Sequence, residues 1–587
     1  MSDNLKTSPP PEAESQSASQ DTTSLLEKST SSATRYAKKT IGFPCVFSQS
    51  HVFCFICQYI IGPDLFTIVS RVLESTGTGR TLLALFALAL LALVISRGHV
   101  QMLHLWPIQS NTTIFAQNYV DPWLGIVIGC LPCLMYSCWY VGLTVQRTTL
   151  IDALGLGRTS DIFTKAITFA VPVLFALIPN EWLRHLQGWL VAVKLLIASA
   201  ILIIMFYVNE SIAYSQSRLV SREDAIFSGD LVHKYITGTM YAAFMLSRIY
   251  FGVETLSSVA PEMTVESPGL HESDEGSSVQ QMLRVYKDRL TTPTTIAFCI
   301  ALMLFAVTVT VMSETFQTAN SLRSHHDGRL DLADSILVTT SEAASGSLAF
   351  WIKILFIVLS VGTEGFVLHA ASRNLYWMAV KFSGRTDGTG YSDNRSTRLG
   401  FLWSWLSERK SDQPWVSVLS LTLLPLVLLP VIWVYPSATV VIFRFVQEFV
   451  CSGTLVLWMM RAVVNVRFHK SVRNDRILYV RAGIPESILR NHENDQYTLP
   501  CAYIALILSF LILIGGHYAR YCDHPTTIQL ISSAFMAITF VCAYTFTRNF
   551  YPVTADQKAG MHSSDSGITE RLVTKMCGAR TGRYAEH

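Results

Sequence analysis

Charge is what this sequence has least of. Only 15% of its 587 residues are Asp, Glu, Lys or Arg, against roughly 25% in soluble globular chains. Half of the residues are hydrophobic, so the surface they build needs a solvent that does not demand charge, and lipid is that solvent. The net charge of +3 is too small to mark a nucleic-acid binder, and no stretch interleaves basic and aromatic residues on a polar background. The sequence also lacks the signatures of common catalysts. It has no G-x-x-x-x-G-K-[ST] loop, so it is not expected to hydrolyse ATP itself, and neither H-E-x-x-H nor G-x-S-x-G occurs. No enzyme activity and no cofactor are therefore expected. Alternating ten-residue segments are missing too, which excludes a transmembrane β-barrel. No short apolar region is followed by a small-residue cleavage site, so the first hydrophobic span is expected to act as the signal anchor.

Metal-binding patterns are equally poor. There are twelve cysteines, most of them inside apolar runs, where cysteine packs as a small hydrophobe. Cys54 and Cys57 form a C-x-x-C, as do Cys130 and Cys133, but neither has a second pair or a histidine at zinc spacing. No metal site is expected. His325-His326 lies in a polar loop and reads as a solvated pair.

Long apolar runs are what the sequence does contain. A helix needs about 20 mostly apolar residues to cross about 30 Å of hydrocarbon. Residues 122–146, 290–313, 414–443, 497–516 and 525–547 hold no Asp, Glu, Lys or Arg. Residues 81–96 are fenced by Arg80 and Arg97, and residues 166–180 and 195–209 follow Lys165 and Lys194. Three more spans carry internal charge: about 51–73 with Asp64, 235–259 with Arg248 and Glu254, and 350–380 with Lys353, Glu364 and Arg373. The run from 414 is too long for one span. Pro436 divides it, and the second part continues to about 464. The total is twelve spans in an all-α polytopic membrane protein. Residues 1–45, rich in Ser, Thr, Pro, Glu and Lys, read as a disordered tail.

Orientation follows from Lys and Arg in the loops. The loop after span 8 holds Arg385, Arg395, Arg398, Arg409 and Lys410, and that after span 10 holds Arg467, Lys470, Arg473, Arg476, Arg481 and Arg490. Both termini are therefore expected in the cytoplasm. Of three glycosylation sequons, those at Asn111 and Asn394 then fall inside, and that at Asn209 lies outside but close to the membrane.

Charge inside a span is costly, and marks a functional site by default. Asp64 follows Gly62 and Pro63, two residues that oppose a continuous helix. Broken backbone at mid-membrane is tolerated where it lines a cavity or is buried in protein. Asp64 reads either as part of a discontinuous helix at a substrate site or as a kink residue paired to a cation. Glu254 sits beside Gly252 and reads as a second break, or as a partner of Arg248 six residues earlier, a poor helical spacing for contact. Lys194 is either a snorkelling interfacial residue or a proton-carrying amine. Glu364 either lines a cavity or pairs structurally. Arg373, two and a half turns further on, is expected to end its span near the cytoplasm.

Seven motifs, in order, resemble those of fungal amino acid permeases of the amino acid–polyamine–organocation superfamily, from about 55 to 548. Ile60-Ile-Gly-Pro-Asp-Leu-Phe66 is similar to I-G-T-G-L-F, Gln101-Met-Leu-His-Leu-Trp-Pro107 to E-M-A-T-L-L-P, and Tyr119-Val-Asp-Pro-Trp-Leu-Gly125 to R-F-V-D-P-A-L-G. Gly188-Trp-Leu-Val-Ala-Val-Lys194 resembles the span 5 pattern ending I-K-V. Phe251-Gly-Val-Glu-Thr-Leu256, with Ala260-Pro-Glu262 and Pro268, resembles F-G-T-E-L followed by A-x-E-x-x-N-P. Ala371-Ser-Arg-Asn-Leu-Tyr-Trp-Met-Ala379 is similar to A-S-R-T-L-Y-A-L-A, and Trp458 through Val466-Arg-Phe-His-Lys470 to W-x-x-I-x-x-x-x-x-R-F-R-K. The chain departs from the family at Gly-Pro-Asp in place of G-T-G, at Gln101 in place of Glu, and in a longer 263–267 segment. The aromatic-plus-Cys ending of many fungal permeases is also absent.

The resemblance implies a core of two inverted five-span repeats, with spans 1 and 6 broken. It divides the chain into a cytoplasmic tail (1–45), a transporter domain (46–548, core 50–466, peripheral spans 497–548) and a cytoplasmic C-terminal tail (549–587). It implies transport of amino acids or related amines by alternating access, coupled to a proton, in the plasma membrane or in a vacuolar or other endomembrane. A sensor of the same fold that binds without transporting is the alternative. The implied substrate site comprises Ile61, Gly62, Pro63, Asp64, Phe251, Gly252 and Glu254, and Lys194 is the proton-coupling candidate. Pro63 has no N–H for a substrate carboxylate, and Asp64 adds negative charge. The expected preference is therefore for cationic substrates.

Overall fold

The computed structural model describes residues 48–105, 111–155, 158–215, 231–255, 275–323, 346–383, 400–408, 413–434, 436–474, 476–481, 486, 489–490, 497–523 and 527–550. Expectations for the two tails, the His325-His326 pair and the Arg-rich segment after span 8 lie outside these residues, apart from Glu408 and its neighbours. Among the described residues the elements are helical. In chain order they are α1 (Gln49–Ile60), α2 (Asp64–Thr76), α3 (Thr78–Leu105), α4 (Asn111–Tyr119), α5 (Pro122–Asp152), α6 (Arg158–Ala176), α7 (Asn180–Ser215) and α8 (Leu231–Leu246). A 3-10 segment, Ser247–Thr255, continues α8. There follow α9 (Glu275–Arg323), α10 (Gly346–Phe382), α11 (Gly400–Leu406), α12 (Trp415–Val434), α13 (Pro436–Asn474), α14 (Arg476–Arg481), α15 (Thr498–Asp523) and α16 (Thr527–Phe550).

Seven of these helices are long and apolar enough to cross a membrane: α3, α5, α10 and parts of α7, α9, α13 and α15. The pair α1 and α2, bent by 44° at a short break, makes an eighth. The other four expected spans coincide with helices α6, α8, α12 and α16. Apolar side chains on the outer faces recur at helical spacing. Leu83, Phe86 and Leu90 of α3 are exposed, as are Trp189, Val193, Leu196 and Ile203 of α7 and Ile504, Ile507, Leu511 and Ile514 of α15. Such stripes are stable only against lipid or another apolar surface.

Local chemistry explains several boundaries. Asp121 caps α5 by accepting the N–H of Leu124 at 2.9 Å, with Pro122 at the first helical position, where its missing N–H costs nothing. Gly77, at φ 79°, turns the chain from α2 into α3. Pro436 opens α13 as expected, for the same reason as Pro122.

Several expectations need correction. Arg467, Lys470 and Arg473 lie on α13, which runs to Asn474, and not in a loop. The charge-free stretch expected to end at 146 belongs to a helix that continues to Asp152 and includes Arg147, which is fully buried. Arg373 does not end its span. The helix runs nine residues further, and Arg373 is buried against Asn180 and Gln413.

The first and sixth spans are the broken ones, five spans apart. α1 packs on the 3-10 segment, and α10 and α13 pack on α5. The two breaks thus meet in the interior, beside the largely buried third and eighth spans and the inner face of the fifth.

Candidate functional site at the two helix breaks

The first break comprises Ile61, Gly62 and Pro63. α1 ends when the Ile61 N–H closes on the carbonyl of Cys57 at 2.9 Å. Pro63, at φ −61°, starts α2 and accepts from the N–H groups of Phe66 and Thr67 at 3.0 and 3.1 Å. A helix that stops inside protein leaves its last carbonyls without intrahelical donors. The carbonyl of Gln58 finds its donor in Lys194, whose Nζ lies 2.7 Å away. The same Nζ donates to Thr363 Oγ1 at 2.9 Å and sits 5.7 Å from the centre of the Phe366 ring. Lys194 is 5% exposed, so it does not snorkel to an interface. It joins spans 1, 5 and 8. Gly62 packs closely here, since a Cβ at that position would lie 3.1 Å from Thr363 Oγ1.

The second break is the passage from α8 to 3-10 geometry at Ser247. Gly252 lets this segment touch span 1, because a Cβ there would lie 2.5 Å from Tyr59 Cβ. Aromatic rings fill the junction. Phe251 packs 4.6 Å from Tyr136 and 5.7 Å from Trp139, and Tyr136 lies 6.3 Å from Tyr59. The Tyr59 hydroxyl donates to the Phe366 carbonyl at 2.6 Å. The backbone of Glu254 lies in the 3-10 segment, while its side chain is outside the described residues.

Asp64 is not an uncovered negative charge. Arg248 Nη2 donates to it at 2.9 Å, and Trp139 Nε1 donates to Oδ2 at 2.9 Å. The Arg248 guanidinium also lies 5.9 Å from the centre of the Trp139 ring. The expectation that Asp64 selects cationic substrates loses its basis, because the charge is neutralised within the protein. Arg248 pairs with Asp64 across the two breaks.

A second buried ion pair lies alongside. Arg147 of α5 donates to Glu364 of α10, and Ser360 Oγ donates to the other oxygen of Glu364 at 3.2 Å. Glu364 therefore pairs structurally. Its neighbour Thr363 is the residue that Lys194 holds. The parts that sequence reasoning missed were Trp139, Thr363, Tyr136 and Arg147. Only Arg147 left a signal, as a charge beside an apolar run.

An open cavity of about 500 Å³ lies between α1 and α7, lined by His51, Cys54, Arg184, His185 and Trp189 among others. It reaches Cys54, one turn before Gln58, and Ala192, two residues before Lys194. Among the described residues no three His, Cys, Asp or Glu side chains converge to hold a metal ion.

A family described as amino acid permease matches residues 51–265, a stretch that contains both breaks and Lys194. No curated protein matches the chain in sequence. Among solved structures, the Eremococcus coleocola manganese transporter is 13% identical, with 87% of this chain and 98% of that one covered and a TM-score of 0.52. A mutant of that transporter is 12% identical, with 86% and 95% covered and a TM-score of 0.51. At such identity the likeness is one of fold. The chain is thus an all-α membrane protein with the inverted-repeat architecture of these transporters, its first and sixth spans broken, and residues 51–265 are similar to amino acid permeases.

Proposed function

We propose that this protein carries amino acids or related amines across a membrane by alternating access, as a proton symporter. The observation that supports this most directly is Lys194, a buried amine that ties the cut end of α1 to span 8. Charge-assisted hydrogen bonds are roughly twice as strong as neutral ones. Loss of the proton therefore weakens the hold on Gln58 and Thr363, and frees α1 to move relative to α10. The cavity beside Cys54 ends one turn before Gln58, whose carbonyl holds that amine. With both termini in the cytoplasm, this cavity opens to the cytoplasmic side. Substrate would lie at the junction of Ile61, Gly62, Pro63 and Asp64 with Phe251, Gly252 and Glu254. The plasma membrane is the proposed location.

The test is uptake of a labelled amino acid panel into proteoliposomes, with and without an imposed proton gradient. Gradient-driven accumulation of at least one amino acid is expected. The Asp64–Arg248 pair, which locks the two breaks together, favours a second reading, a sensor that binds without turnover. Saturable binding with no accumulation under any gradient decides for the sensor.

A further inference from the structure

Arg248 carries donors that its surroundings do not use. The side chain is fully buried where α8 gives way to 3-10 geometry. One nitrogen, Nη2, serves Asp64. Nε and Nη1 have no hydrogen-bond partner among the described residues. A buried donor left unpaired forfeits its hydration with nothing in return; Arg147 also keeps such donors, and Arg248 is set apart by its place between the two breaks.

The first break offers an anion few donors. Pro63 has no N–H. The N–H groups of Ile61, Leu65, Phe66 and Thr67 are spent on the carbonyls of Cys57, Gly62 and Pro63, which leaves only those of Gly62 and Asp64 at the break. A carboxylate that enters needs donors beyond these two, and the guanidinium opposite the break has them. Guanidinium matches carboxylate in both charge and planar geometry. Asp64 and Trp139 hold the group in place, since Asp64 takes only Nη2 and the indole lies against it.

We propose that Arg248 is the carboxylate anchor of the substrate site, receiving the substrate's carboxylate on Nε or Nη1 while Nη2 stays on Asp64. This rests on the amino acid reading given above. It makes the site selective for amino acids over the corresponding amines, and assigns Asp64 the role of a positioning residue that orients the guanidinium.

The experiment is ligand binding to the purified full-length protein in detergent, read by thermal shift and calorimetry. The probes are leucine, phenylalanine and lysine, each with its decarboxylated amine: isopentylamine, phenethylamine and cadaverine. For at least one pair the wild type should prefer the acid by about tenfold or more, as one charge-assisted hydrogen bond provides. Asp64→Asn should lower that preference without abolishing it, because the guanidinium remains but loses the carboxylate that orients it. Arg248→Gln alone strands a buried carboxylate and threatens folding, so Arg248→Gln is made together with Asp64→Asn, which leaves two neutral amides able to bond each other. This double variant should bind acid and amine alike. The inference is overturned if the double variant keeps the wild-type ratio, or if the wild type binds the amines as well as the acids or binds neither. Uptake separates the two readings. Transport with an unchanged acid-to-amine ratio in the double variant sinks the anchor and leaves the transporter. An Arg248-dependent ratio without any uptake keeps the anchor and sinks the transporter.

Discussion

Lys194 Nζ lies 2.7 Å from the carbonyl oxygen of Gln58. Gln58 lies in the last turn of α1, where the carbonyls beyond Cys57 run out of intrahelical donors. A side chain from the fifth span therefore completes a helix that Gly62 and Pro63 cut short. The same amine also reaches Thr363 of α10. Three spans thus depend on one buried amine.

Lys194→Met should abolish gradient-driven uptake while the protein still inserts. Loss of the donor strands the Gln58 carbonyl, at a cost of about 1–3 kcal/mol, so a lower melting temperature is also expected. Uptake that keeps its full pH dependence in this variant removes Lys194 from the mechanism.

Gly252→Ala should impair both stability and transport. Its Cβ would lie 2.5 Å from Tyr59 Cβ, and backbone must move to relieve the contact, at about 1–3 kcal/mol. Gly188→Ala is the control. It lies inside α7 with no atom within 4 Å of the new Cβ, and should stabilise by roughly 0.5–1 kcal/mol through helix propensity. Equal melting temperatures for the two variants would falsify the close-approach argument.

Glu364→Gln removes one partner of a fully buried ion pair. The uncompensated Arg147 should cost about 3–5 kcal/mol. Arg147→Met combined with Glu364→Gln should recover most of that loss, since no charge is then left unpaired. If the double variant is as unstable as Glu364→Gln alone, the pair is not the source of the effect.

Both termini should be cytoplasmic, across twelve spans. Protease protection of N- and C-terminal tags in sealed cells checks this, and digestion of either tag from outside contradicts it. The ground for the expectation is the excess of Arg and Lys between spans 8 and 9 and after span 10.

Composition and periodicity alone determined that the chain is helical and membrane-embedded, and roughly where its spans lie. Apolar runs near 20 residues admit one solution in lipid, because every backbone hydrogen bond must close within the segment. The interruption at Gly62–Pro63 was legible for the same local reason: proline lacks an N–H and glycine disfavours a helix. Partnership was not legible. Asp64 was visible as a costly charge, but Arg248 lies 184 residues away, and no local rule joins them. Lys194 admitted two readings until the fold placed it under the cut end of α1. Arg373 read as a span end because a lone arginine in an apolar run resembles a boundary, whereas α10 continues past it and Asn180 and Gln413 receive it. Local chemistry set where the helices form and break. Only tertiary packing, which brings distant spans within 3 Å, decided which buried charges cancel and which donors remain for a ligand.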